Sequence, residues 1–184
     1  MRKGLMIAAT LALTGCDKGE VDQKNATPAE VASAVAKANA AINFKPGRWE
    51  STVRVASMEL PNMPAEARSA MNKAVGKGHS YASCLSKEAA AKPAADFFAK
   101  DAKDCTYDHF TMGGGKIDAA MRCSRGGASR NEVVMAMSGT YDPTHYDMTM
   151  ETRIEAGAAG PMTMKMNVAS AHVGACRGDE DGKS

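Results

Sequence analysis

Residues 131–155 read NEVVMAMSGTYDPTHYDMTMETRIE. Asn131 to Tyr141 and His145 to Glu155 are two alternating runs, and Asp142-Pro143-Thr144 separates them. Period-2 runs on either side of a short turn-forming triplet are the signature of an antiparallel hairpin. Upstream, Cys105 to Met112 and Lys116 to Cys123 flank Gly113-Gly114-Gly115, a second hairpin of the same kind. Downstream, Met162 to Val173 follows a turn around Gly157 to Pro161. Consecutive strands joined by short turns predict an antiparallel meander, either a curved open sheet or a partial barrel.

The first half of the chain adds two further strands and several short helices. Trp49, Ser51, Val53 and Val55 would point to one side of a strand, and Glu50, Thr52 and Arg54 to the other. Pro61 to Pro64 ends that strand, and His79 to Cys84 forms the next. Thr27-Pro28-Ala29-Glu30 is a capping box with proline at the first helical position. Val31, Val35, Ala38 and Ile42 then follow at helical spacing. This predicts a helix over 28–42 whose thin, alanine-rich stripe packs loosely. Ala65 to Val75 has helical composition, Ser86 can cap a helix through Ala91, and Pro93 can open another through Lys100. The fold class predicted is α+β, mainly β, with short helices packed on one side of the sheet.

The N-terminus has a separate role. Arg2 and Lys3 precede the uncharged stretch Gly4 to Leu13, which is too short to span a bilayer. A charged start, a short apolar run and small residues at the cut make an export signal. Leu13-Thr14-Gly15-Cys16 resembles a lipobox, in which the thiol takes a diacylglyceryl group and becomes the first mature residue. A second, palmitate-type acyl group on the new amine would complete the anchor, each buried methylene contributing about 0.8 kcal/mol. The organisation expected is a lipoprotein signal peptide over 1–15, a tether and short helix over 16–45, a β-rich domain over 46–176 and a disordered tail over 177–184. The protein would then be lipid-anchored in the cell envelope and face the periplasm. Asp17 favours retention at the inner membrane and Lys18 weakens that signal, so both membranes stay open.

The formal net charge of +2 falls to about zero once Arg2 and Lys3 leave with the signal. No basic stripe points to nucleic acid. Of 5 cysteines, Cys16 is spent on lipid, which leaves Cys84, Cys105, Cys123 and Cys176 as an even set in an oxidising compartment. The pairing favoured is Cys84 with Cys105, closing a helical excursion, and Cys123 with Cys176, tying a middle strand to the last. Neither Cys-x-x-Cys nor His-x-x-x-His spacing occurs, so no structural metal site and no cofactor is expected.

From Pro46-Gly47-Arg48-Trp49-Glu50 onward the chain resembles a known family of exported bacterial proteins, the domain of unknown function 3617. The resemblance continues at Pro61-Asn62-Met63-Pro64, at Cys84-Leu85-Ser86-Lys87-Glu88, and through Asp104-Cys105 and Cys123. It ends with Met162-Thr163-Met164-Lys165-Met166 and Gly174-Ala175-Cys176. It implies export and an oxidised β-rich domain, and it implies no activity.

Methionine supplies 14 of the 184 residues. Met135 and Met137 share one face of their strand, Met148 and Met150 one face of the next, and Met162, Met164 and Met166 one face of the last. Matching registers would put all seven on one side of one sheet. Such a face is a methionine-filled core, or a groove for an apolar ligand, or a set of soft thioethers for Cu(I). Helices at about 65–75 and 87–100, with Phe97 and Phe98 turned inward, would cover most of it. His79, His109, His145 and His172 are scattered, and no nucleophile elbow or phosphate loop is present, so no enzyme is expected. The classes left are an envelope module binding an apolar ligand or an envelope protein, a structural lipoprotein, and a copper-handling protein.

Overall fold

The computed structural model describes residues 19–38, 43–76, 78–90, 104–125, 131–155, 160–180 and 182–183. Its strands are β1 (Val21–Ala26), β2 (Gly47–Glu59), β3 (His79–Leu85), β4 (Cys105–Gly113), β5 (Lys116–Arg125), β6 (Asn131–Asp142), β7 (His145–Glu155), β8 (Pro161–Gly174) and β9 (Gly182–Lys183). Its helices are α1 (Pro28–Lys37), α2 (Ala65–Val75) and α3 (Lys87–Ala90). All nine strands join one open sheet in the order β1-β4-β5-β6-β7-β8-β2-β3-β9. The meander expected from the turns is the run β4 to β8, antiparallel throughout. Around it, β1 adds beside β4, and β2 with β3 adds beside β8.

Two segments depart from the sequence reading. The stretch read as a polar tether contains β1, an edge strand in which Val21 faces Met112 and Ala26 faces Tyr107. Its polar composition is that of an edge, where only Val21 and Ala26 turn into the core and both are buried. The tail expected to be disordered continues to β9, which pairs in parallel with β3 at Ser83 and Cys84. The residues that hold it down are Asp179 and Glu180, whose carboxylates meet Arg48 of β2 at 2.6 and 3.2 Å.

The disulfides also differ from the pairing favoured above. Cys105 joins Cys123, and Cys84 joins Cys176. Cys105 and Cys123 lie directly opposite each other across the β4–β5 hairpin, so each is the other's nearest thiol. Cys84 and Gly174 flank Arg48 on its two sides, and the chain after Gly174 folds across β2 to reach Cys84.

The core lies on one face of the sheet, at the β1 end. Val31 and Val35 of α1 are fully buried against Phe110, Met112, Ile117 and Ala119. This overturns the loose packing expected of that helix. An alanine-rich stripe lets it sit close, and its two valines fill the contact. The capping box forms as read: Glu30 N donates to Thr27 Oγ1 at 3.3 Å, and Thr27 N donates to a Glu30 oxygen at 2.7 Å. The helix ends at Lys37, and Ile42 lies outside the described residues.

Candidate functional site

The strand registers put the seven methionines on one face. Met137, Met150 and Met166 stand directly opposite one another across β6, β7 and β8, and Val55 of β2 continues the row. A parallel row runs Met135, Thr152, Met164 and Met58, and Met121 of β5 extends it beyond Met135. On the other side lie Gly139, Met148, Val168 and Val53. Met162 faces Ile154 at one end of the sheet.

Gly139 has a reason to be glycine. A Cβ built there would stand 2.1 Å from the Asp147 carbonyl oxygen and 2.6 Å from the Met148 sulfur. The missing side chain is the space into which Met148 leans.

All seven methionines are half-buried. Met137 and Met148 pack against the α1 core, which gives them a partner on the open side. The cover expected from 65–75 is a correction: α2 forms as read, but it buries no residue. Its position is fixed at the edge of the face, where Met58 N donates to Asn72 Oδ1 at 3.3 Å. Of the second expected cover, only α3 falls among the described residues, and Phe97 and Phe98 lie outside them.

One end of the face is closed by aromatic rings. Trp49 is 4% exposed, and its indole donates to the Lys45 carbonyl at 2.9 Å. Phe44 meets it edge-on at 5.2 Å, Tyr146 stacks at 6.0 Å and His172 meets it edge-on at 5.8 Å. Beside this cluster the hydroxyls of Ser51 and Ser170 share a buried hydrogen bond of 2.7 Å. Trp49 is therefore a packing anchor, as its strand-start position suggests.

The opposite face is polar. A shallow depression of about 200 Å³ there is lined by His109, Asp118, Ser138, Thr149, Glu151 and Lys165. His109 Nε2 is 2.6 Å from Asp118 and His145 Nδ1 is 3.5 Å from Asp147, both solvent-facing pairs. Among the described residues no three His, Cys, Asp or Glu side chains gather into a metal site. No described helix is long and apolar enough to cross a membrane.

Met58 and Met121 belong to the face and were missed by the sequence reading. Met121 alternates with Ala119 and was legible from its hairpin. Met58 was not, because β2 shifts register between Val55 and Ser57 and so reverses the alternation. Cys16 and the export signal lie outside the described residues.

An open, disulfide-stapled, mostly antiparallel sheet with α1 packed on its core face defines the class. The model of a family described as a protein of unknown function, DUF3617, matches residues 44–176, and the chain belongs to that family. No curated protein and no solved structure matches the chain.

Proposed function

We propose that this protein is a membrane-anchored, periplasm-facing lipoprotein whose methionine face holds an apolar ligand, and that it carries out no catalytic step. The single supporting observation is the contiguous face of half-buried methionines and valines on β2, β6, β7 and β8. Unbranched thioethers adapt their shape at little energetic cost, so such a wall accepts ligands of varied outline. An apolar surface of this breadth on an exported protein is unusual unless something occupies it. Native mass spectrometry of the protein taken from its own membrane tests the reading. A retained apolar mass that is lost in Met150→Glu is the expected result. An empty protein, with Met150→Glu melting as the parent does, would overturn it.

One observation favours a second reading. Met137, Met150 and Met166 occupy three adjacent in-register positions, the spacing at which three thioethers can converge on a soft cation. Titration with Cu(I) against a chromophoric chelator decides this. Retention of one equivalent that Met150→Leu abolishes supports copper handling, and no competition with the chelator removes it.

A further inference from the structure

The route by which the chain enters the sheet carries an inference about which part of the molecule meets the membrane. It rests on the lipidation of Cys16 proposed above. From Cys16 to Val21 an extended chain spans at most about 17 Å. Val21 enters the sheet opposite Met112, beside the turn that joins β4 to β5. A Cβ built at Gly113 would stand 2.6 Å from Glu20 Cγ, so the chain hugs that turn before it becomes β1. The anchor therefore issues from one rim of the sheet.

That rim is continuous. Tyr141 N donates to the Gly115 carbonyl at 2.8 Å, Lys45 N to Pro143 at 2.7 Å and His172 N to Thr144 at 2.8 Å. These bonds tie the β4–β5 turn, the β6–β7 turn, the start of β2 and the end of β8 into one surface. Val173, 44% exposed, stands on it, and the Phe44–Trp49–Tyr146 cluster lies just behind. Lys45 and Lys116 are offset by Glu20 and Asp142, so the rim offers a lipid surface little net charge. The opposite rim is far off: from Thr140 to Glu132 the sheet runs about 26 Å.

We propose that this rim, built by the turns at 113–115 and 142–144 with residues 43–46 and 172–174, rests on the phospholipid surface. The sheet then stands upright on the bilayer. The aromatic cluster separates the membrane from the methionine rows, and the Met162–Ile154 end points away.

The test uses the full lipidated protein in zwitterionic phospholipid vesicles containing a small fraction of nickel-chelating headgroup lipid. Lys116 and Glu132 are both exposed, on the same face and at opposite rims. A nitroxide on Lys116→Cys should lose signal amplitude several-fold through contact with nickel, while one on Glu132→Cys should be nearly unaffected. Equal losses, or a larger loss at Glu132→Cys, overturn the upright placement while leaving the anchor intact. A mass spectrum without diacylglycerol on Cys16, with protein that washes off the vesicles, overturns both. If the added thiol disturbs the bridges, Trp49, the single tryptophan, serves instead. A dansyl-headgroup lipid should then quench most of its emission, and unchanged emission counts against the placement.

Discussion

Arg48 keeps only 11% of its side chain exposed, under the segment that follows Cys176. Its guanidinium donates to Asp179 and Glu180, and more weakly to Glu50 at 3.4 Å. Glu180 in turn accepts from Arg177 N at 2.6 Å and Gly178 N at 2.8 Å. The Arg177 amide contributes most to lowering the Glu180 pKa; burial opposes it, and the Gly178 amide and Arg48 add to it, so the carboxyl falls from 4.5 to about 2. The unfolded chain therefore binds the proton more tightly, and this contribution to stability is present above pH 4.5 and is lost as pH falls toward 2. Thermal melts should show Glu180→Gln less stable than the parent at pH 7 and converging with it near pH 2. Parallel curves across that window would remove Glu180 from the acid response. None of this was legible beforehand, because Gly-Asp-Glu-Asp-Gly reads as a solvated tail until Arg48 is known to lie beneath it. The Cys105–Cys123 pair, by contrast, was readable. Counting outward from Gly114-Gly115 brings the two cysteines within one position of each other, and the register shift between Tyr107 and His109 supplies that position.

The helices, taken as elements, differ in what they support. Val31 and Val35 are 0% and 2% exposed, whereas α2 buries nothing. Each Val→Ala change in α1 should cost about 2 kcal/mol in urea denaturation, from lost transfer energy and the cavity left behind. Thr27→Ala should cost about 1 kcal/mol by removing the cap. Val75→Ala in α2 should stay within about 0.5 kcal/mol. Equal costs in the two helices would mean that α2 contributes to the core after all. The existence of α1 was visible in its spacing and capping residues, and that of α2 only in its helical composition, since Pro64 gives it no side-chain cap. Their unequal burial was not, since it depends on which strand neighbours each, and the polar sequence of β1 reads as a tether. Its alternation covers only six residues and is broken by Asn25, whose φ of 50° lets Ala26 turn inward.

At the scale of the whole molecule, the two bridges constrain very different lengths of chain. Cys84 and Cys176 are 92 residues apart, Cys105 and Cys123 only 18. In the chain-entropy model the long closure stabilises by about 4.5 kcal/mol and the short one by about 3 kcal/mol. Replacing Cys84 and Cys176 with serine should therefore lower the urea midpoint more than replacing Cys105 and Cys123. The opposite order would place the main contribution in local hairpin geometry.

The same global view orders the methionines by reactivity. Met112 is 2% exposed inside the α1 core, and Met137 and Met148 pack against that core. Met150, Met164 and Met166 are half-buried on the same face but outside the cluster. Peroxide reaches a thioether through solvent, so oxidation should follow this gradient. Peptide mass spectrometry after limited oxidation should find Met150 and Met164 modified first, Met137 and Met148 later, and Met112 only on unfolding. Loading the face with a fatty acid should slow the first group selectively, because only those sulfurs would gain cover. Slow, uniform oxidation of all of them would mean a closed core and would leave no room for the ligand. Fast oxidation of all, Met112 included, would mean that α1 does not hold its place on the sheet.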